Sequence, residues 1–484
     1  GSGAEGSTHP VRNPSQSDEQ LGQVSATTVA DAHRALRIAH DFAPQWAAEN
    51  PTNRANLLRR IADELQANKP ALMTLCICEA GKTVRDAEAE VREAIDYCRY
   101  YAGLAESLAD PLPLPGSVGE LNELSWHGRG PFLCISPWNF PLAIFCGQAM
   151  AALVSGNPVL LKPAEQTSLI AGFVTRLCHQ AGVPAAAMQL LPGAGPTLGA
   201  ALLPRPELKG VVFTGSCATA QVIQRNLADR EDDIIPLIAE TGGQNAMIVD
   251  STALPEQVVR DVLISAFGSA GQRCSCLRLL YLQEDIAEEL IALLKAAMTT
   301  LEIGDPWHLA TDVGPVISPQ AAQALTSHIE TLREQGSTVF SVTLPPGLNQ
   351  RQFVPPTLIE LADSKQLKGE VFGPILHVVR YGADQLDEVI EAINATGFGL
   401  TLGIHSRIEA VCRYISARAQ AGNIYINRAM TGAVVGSQPF GGQGRSGTGF
   451  KAGGPHYLYR FMSEKCISID ITAAGGNASL LSKP

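Results

Sequence analysis

The stretch GVVFTGSCATAQVIQ, residues 210–224, joins an apolar, β-branched run to a Thr-Gly-Ser turn and then to a helix-forming segment. The apolar run is too short for a buried helix, and the serine that follows the glycine suits a helix cap, so the stretch predicts a strand, a tight turn and a helix. The same grammar recurs in both directions. PVLLK (158–162), MQLLP (188–192), NAMIV (245–249) and LRLLYL (277–282) alternate with helical segments, which is the pattern of βαβ units on a parallel sheet and of an α/β fold. Upstream, residues 54–107 read as helices, with Leu57, Leu58, Ile61, Ala62 and Leu65 on one face and the charge-laced 83–106 following. PLPLPG (111–116) breaks helix and reads as an extended connector into a short strand pair at 119–129. LAIFCGQAMAALV (142–154) is too short to span a bilayer and reads as a buried helix.

Composition narrows the function classes. The 484 residues are 45% hydrophobic and 17% charged, enough for two or three domains with large cores and too apolar for disorder. A formal net charge of -11 without a basic run argues against a nucleic-acid partner. Eleven cysteines, with CxC pairs at Cys76/Cys78 and Cys274/Cys276 but neither CxxC nor HExxH, suggest reduced thiols in a cytoplasmic protein with no metal site. The opening GSGAEGSTHP lacks the regions of a signal peptide, and its glycine and serine content looks like a cloning remnant. Asn394 and Asn477 match N-x-S/T, which carries no meaning without export. No membrane insertion is expected.

Two strand ends carry polar punctuation suited to a nucleotide. Lys162 and Glu165 stand at the carboxyl end of a strand, where open α/β sheets bind ligands. Gly215 and Ser216 stand between a strand and a helix N-terminus, whose N–H groups suit a pyrophosphate. Each is also readable as an ordinary surface carboxylate or helix cap. Gly193, Gly195 and Gly199 give GxGxxxG rather than the dinucleotide fingerprint GxGxxG.

Cys274 in GQRCSCLR (271–278) would, alone, be one more small buried hydrophobe. Set beside PWNFP (137–141), ETGGQNAMIVD (240–250) and EVFGPIL (370–376), it completes an ordered pattern that resembles the aldehyde dehydrogenase superfamily from about residue 11 onward. The resemblance implies a Rossmann-like NAD-binding domain over 11–112 and 130–242, an α/β catalytic domain over 243–449, and a β-flap for oligomerisation from 113–129 and 463–478. It further implies that Cys274 is the nucleophile, that Asn139 and the backbone N–H of Cys274 are oxyanion donors, and that Glu240 is the general base that hydrolyses the thioester. An aldehyde must become tetrahedral before it can release hydride, and a soft nucleophile with fixed donors supplies that step. Cofactor contacts are implied for Ser136, Pro137, Trp138, Lys162, Glu165 and Gly195, and for Thr214, Gly215, Ser216, Glu370 and Phe372. The cofactor is expected to be NAD, since a carboxylate at Glu165 repels a 2′-phosphate, with Lys162 pulling weakly the other way.

Residues 427–455 are similar to the substrate loop of the L-glutamate-γ-semialdehyde (1-pyrroline-5-carboxylate) dehydrogenases. That likeness places Ser275, Gly432 and Ala433 on the substrate's α-carboxylate, Phe140 and Phe440 around its aliphatic chain, and Arg273 among the substrate-binding residues. The activity implied is NAD-dependent oxidation of glutamate semialdehyde to glutamate in proline catabolism. The alternatives are another small carboxylated or aliphatic aldehyde, and a catalytically dead scaffold of the same fold. A CoA-acylating relative is disfavoured by Glu240. TAAGGNASLL (472–481) resembles the ending of bifunctional proline-oxidising enzymes, so a proline dehydrogenase module on the same polypeptide is an expected partner, besides a homo-oligomer. Cys217, Cys276, Ser437, Arg445 and Phe450 depart from the usual pattern.

Overall fold

Why residues 8–48 escape a reading by periodicity is visible in the computed structural model, which describes residues 7–349 and 352–471. Strands β1 (Thr8–Asn13) and β2 (Gln16–Ser25) form an antiparallel hairpin whose polar residues are mostly exposed. Helix α1 (Val29–Ala48) buries a face made largely of alanines, a weak hydrophobic signal. The helices at 54–107 resolve into α2 (Pro51–Ala67), α3 (Lys69–Ala80) and α4 (Val84–Ser107). Their ends follow local chemistry. Thr28, Asn50 and Thr83 accept hydrogen bonds from the backbone of Asp31, Thr52 and Asp86, and Gly81 closes α3 at φ 64°.

PLPLPG holds a strand of its own, β3 (Leu112–Leu114), and 119–129 is not a local strand pair: it is the single strand β4 (Glu120–Gly128). The proline-rich stretch is extended as expected, and three of its residues pair as well, since edge strands tolerate proline. β4 lies between β3 and a strand at 462–470, antiparallel to both, so one partner is local and the longer one comes from far along the chain. The residues expected in this flap at 472–478, like those of the TAAGGNASLL ending and of the leader at 1–6, lie outside the described residues.

Next come β5 (Phe132–Ile135), α5 (Ala143–Val154), β6 (Val159–Lys162), α6 (Ser168–Gln180), β7 (Met188–Leu190), α7 (Gly195–Leu202), β8 (Gly210–Gly215), α8 (Cys217–Ala228) and β9 (Leu237–Thr241). The strands make one parallel sheet, ordered β7-β6-β5-β8-β9. Order reverses around β5, so the carboxyl ends of β5 and β8 open the crevice in which such sheets bind ligands. A second sheet follows from β10 (Ala246–Val249), α9 (Pro255–Phe267), β11 (Leu279–Gln283), α10 (Glu284–Met298), α11 (Pro319–Glu334), β12 (Thr338–Ser341), β13 (Thr357–Glu360), β14 (Ile375–Tyr381), α12 (Leu386–Ala395), β15 (Phe398–Gly399), β16 (Thr401–His405), α13 (Glu409–Arg418) and β17 (Asn423–Ile426). Its order is β12-β13-β14-β11-β10-β16-β17, parallel except at β12. β18 (Gln443–Gly444) pairs with β15, and β19 (Met462–Asp470) returns to the flap. Among the described residues no helix is long and apolar enough to cross a membrane.

Asn157, fully buried, ties these parts together. Its Oδ1 accepts from the N–H groups of Arg129 and Gly130 at 2.6 and 3.0 Å, and its Nδ2 donates to the carbonyls of Ala152 and Phe461 at 3.2 and 2.9 Å. One side chain thus joins the root of β4, the end of α5 and the start of β19. Removing it orphans several buried backbone groups, so Asn157→Ala should cost about 2–4 kcal/mol. The expected readout is a thermal midpoint lower by several degrees; an unchanged midpoint would show that water replaces the amide without loss.

Candidate active site

Between the two sheets, residues 268–276 carry the nucleophile candidate on an unusual backbone. Ser269 and Ala270 take φ of 57° and 52°, followed by Gly271 at 66°, a run that side-chain-bearing residues rarely adopt and that surrounding structure must enforce. At Gly271 a Cβ would come within 2.0 Å of the Gly373 carbonyl, so only glycine fits. Cys274 follows directly, partly exposed. The Asn245 side chain donates to the carbonyls of Cys274 and Cys276 at 2.6 and 2.9 Å, and Thr401 Oγ1 donates to that of Ser275 at 3.2 Å. Asn139, on the loop after β5, donates from Nδ2 to the Gln272 carbonyl at 3.0 Å.

Electrostatics separate the acids. Burial, then the negative charges of Glu370 and Glu240, push the Cys274 thiol up to about 12. Burial likewise raises the Glu240 carboxyl to about 8, opposed by the Gly442 N–H, Arg460 and Lys451. Glu240 Oε2 accepts from Gly442 N–H at 2.9 Å, while Oε1 is buried and has no hydrogen-bond partner among the described residues. Its slot is walled by Gly441 and Gly447, where a Cβ would lie 2.8 and 2.9 Å from the carboxylate oxygens. Glu370 sits against Gly242, whose hypothetical Cβ would fall 1.7 Å from Oε2, and 3.7 Å from the Arg278 guanidinium. Phe372 meets Trp138 edge to face at 5.6 Å.

At the carboxyl ends of the first sheet, Lys162 is buried and its Nζ donates to the Pro163 carbonyl at 2.9 Å, with burial lowering its pKa. Gly195, first residue of α7, faces Lys162 so closely that a Cβ would stand 3.6 Å from Cε. Glu165 is exposed nearby. Ser136 N–H donates to the Lys162 carbonyl at 3.1 Å, with Pro137 next in the chain. Thr214 Oγ1 accepts from Gln148 at 3.0 Å; after Gly215, Ser216 caps α8 by accepting from Thr219 N–H at 3.2 Å. Ser136, Lys162 and Thr214 thus stand at the carboxyl ends of β5, β6 and β8 or in the residues that directly follow.

The residues expected to hold substrate are more dispersed. Phe140 lies under the Lys82 ammonium, 4.2 Å from the ring centroid, and Arg273 pairs with Asp86 at 2.5 Å. Ser275 is buried, whereas Gly432 (φ 83°) is exposed and Ala433 half-buried on a separate loop. Among the described residues no hydrogen bond joins Ser275 to either. The backbone of Phe440 bonds to Ala452 at 2.9 Å. Of the departures, Cys217 packs its sulfur 3.3 Å from both Thr241 Oγ1 and the Arg445 carbonyl, and Cys276 is fully buried.

Asn245, Arg278, Lys82, Asp86 and Glu90 hold these loops and were not singled out by sequence. A signal existed for two: Asn245 opens the apolar run NAMIV, and Arg278 is the one charge in CLRLLYL, where a strand buried on both faces has to satisfy it.

The aldehyde dehydrogenase family pattern matches residues 2–467. The bifunctional protein PutA of Klebsiella aerogenes is 50% identical over 470 residues, covering 96% of this chain and 35% of that protein. The 1-pyrroline-5-carboxylate dehydrogenase of Geobacillus sp. (strain WCH70) is 35% identical over 462 residues, 94% of this chain and 89% of that one. Among solved structures, bifunctional proline utilization A gives a TM-score of 0.91 at 50% identity, covering 94% of this chain and 46% of the other. The Thermus 1-pyrroline-5-carboxylate dehydrogenase with bound NAD gives 0.91 at 31%, covering 96% and 90%. The chain thus spans between about a third and a half of the length of the PutA proteins it matches.

Because the Cys274 thiol is held near 12, its alkylation by iodoacetamide in the protein alone should climb about tenfold per pH unit from pH 7 to pH 10 without levelling. Peptide mass spectrometry separates it from the exposed Cys466. A plateau below pH 9 would mean that the thiolate is stabilised instead.

Proposed function

Since this chain belongs to the aldehyde dehydrogenase family, we propose that it oxidises L-glutamate γ-semialdehyde, the open form of 1-pyrroline-5-carboxylate, to L-glutamate with NAD. The observation that carries this reading is the convergence of Cys274, the Asn139 amide and two raised carboxyls on one desolvated space, joined to the high similarity to proteins named for that reaction. The division into an NAD-binding domain (11–112 and 130–242), a catalytic domain (243–449) and a flap (113–129 and 463–478) belongs to the same proposal.

The residues at the crevice fit a dinucleotide. The first turn of α8 presents backbone N–H groups beyond Ser216, Gly195 leaves room beside the Lys162 stem, and exposed Glu165 can accept from ribose hydroxyls. NAD, when bound, supplies the hydride acceptor. The remaining steps belong to the chain. Cys274 loses its proton to a neighbouring base and its sulfur bonds to the aldehyde carbon, making a hemithioacetal whose oxyanion takes hydrogen bonds from Asn139 Nδ2 and the Cys274 N–H. Hydride departure leaves a thioester. Glu240 then takes a proton from water as the oxygen attacks the acyl carbon, releasing glutamate and the thiol. Ser275, Gly432 and Ala433 hold the α-carboxylate, while Phe140 and Phe440 flank the chain. A fused proline dehydrogenase module, as the coverage of PutA suggests, and a homo-oligomer complete the proposal.

The test is NADH formation with glutamate semialdehyde beside propanal, with Cys274→Ala as control. Glutamate semialdehyde should be preferred in kcat/KM by at least tenfold, and the alanine variant should fall below about a thousandth of wild type. Equal or better use of propanal would sink the substrate while leaving the chemistry.

General-base work requires ionised Glu240, and its pKa near 8 means that the base form grows as pH rises through 8. The deacylation-limited rate should therefore increase up to about pH 8 and flatten above it. Glu240→Gln should lose roughly 10²- to 10⁴-fold in turnover and keep a rapid NADH burst. A variant with neither a burst nor a steady-state defect places the base elsewhere.

A further inference from the structure

α4 touches both loops that meet at Cys274. Asp86, in its first turn, pairs through Oδ1 with Arg273 Nη2 at 2.5 Å, immediately before the nucleophile candidate. Glu90, one turn later on the same face, is buried and accepts through Oε1 from the N–H groups of Leu142 and Ala143 at 2.8 and 3.2 Å. Those groups begin α5, which has no side-chain cap of its own and directly follows the loop carrying Asn139 and Phe140. Glu90 Oε2 lies 2.8 Å from Lys82 Nζ, itself over the Phe140 ring at 4.2 Å, while the Arg273 guanidinium carbon stands 5.8 Å from the same centroid.

The arrangement needs an explanation beyond stability. Buried ion pairs are commonly no better for folding than apolar side chains of the same volume, yet here two salt bridges and two backbone bonds spring from three residues of one helix and its lead-in. α5 buries apolar residues almost all round and presents few features that would fix its position along its axis. Glu90 provides that fixed point, and Asp86 references the Cys274 loop to the same helix.

We propose that Lys82, Asp86 and Glu90 form a clamp that sets Cys274 against Asn139, acting as positioning residues for the reaction; this rests on the site assignment above. Attack on the carbonyl and capture of the oxyanion must occur at one point, and a misplacement of about 1 Å between such groups costs on the order of 10²-fold.

The experiment compares Asp86→Asn, Glu90→Gln and the double variant in the full chain with glutamate semialdehyde and NAD. An amide at 90 can serve the helix N–H groups or Lys82 but not both. Each single variant should lower kcat at least tenfold per active site, titrated by the NADH burst, with KM for NAD within twofold. The double variant should lose about as much as the worse single, because one misalignment already spoils the geometry. Hydrogen–deuterium exchange, which needs no aldehyde, should rise over 271–277 in Asp86→Asn and over 136–145 in Glu90→Gln. Values of kcat within twofold of wild type, fully multiplicative losses, or unchanged exchange in both loops would overturn the clamp. An inactive wild type would instead defeat the functional reading, and the exchange pattern would still decide the clamp.

Discussion

A guanidinium with no access to solvent must find a partner for its charge and for its N–H groups, and Arg278 meets most of that demand through its two terminal nitrogens by drawing the site around itself. Its Nη1 donates to the carbonyls of Gly271 and Gly373 at 2.7 and 3.2 Å, and Nη2 donates to that of Arg273 at 2.9 Å. The same group lies 3.7 Å from Glu370 and 5.2 Å over the Phe372 ring. The left-handed turn at 269–271 persists because these bonds hold it, and the turn in turn aims Cys274. Lysine, a point charge without the fork, could not gather three carbonyls in this way. From the other side of the same residue, His377 bonds to the Arg278 carbonyl, so β14 is registered to the loop carrying Cys274 as well.

Charge then shapes reactivity. Cys274, Glu240 and Glu370 share a space that disfavours negative charge, and each is pushed toward its neutral form, chiefly by burial. Titrations within such a set are coupled, so the order in which protons leave belongs to the group rather than to one residue. At neutral pH the protein alone holds its sulfur as a thiol, poorly nucleophilic toward electrophiles that merely wander in.

The sequence disclosed elements through period and residues through context. Every short apolar run followed by a turn became a strand, since a parallel sheet covered on both faces leaves few other places for Val-Leu-Leu or Val-Val-Phe. What stayed hidden lacked a local signal. The α1 face is written in alanine, the hairpin before it is polar, and β4 finds its partner in residues 462–470. At the site, Cys274, Asn139, Glu240 and Glu370 stood out through the company they keep in order along the chain, whereas Asp86 and Glu90 sit within the charge-laced 83–106 and Lys82 just before it, with nothing local to mark them. A charged residue at helical spacing is usually exposed, and only tertiary structure shows Lys82 and Glu90 facing inward at 3% and 1% exposure.

The flap has a consequence in time. Its central strand, β4, is complete at Gly128, yet its longer partner begins only at Met462. At ribosomal rates of roughly 5–20 residues per second, the interval is on the order of tens of seconds, during which one edge of β4 has no strand to bond. Glu240 waits for a similar interval, because the Gly442 N–H that binds it and the Ser446 carbonyl that receives the Thr241 N–H are made late. A nascent chain therefore carries its sulfur at Cys274 for many seconds before the Gly442 N–H that closes the slot around Glu240 exists. Any factor that shields the unpaired edge of β4 during that wait acts on folding without ever touching the finished site.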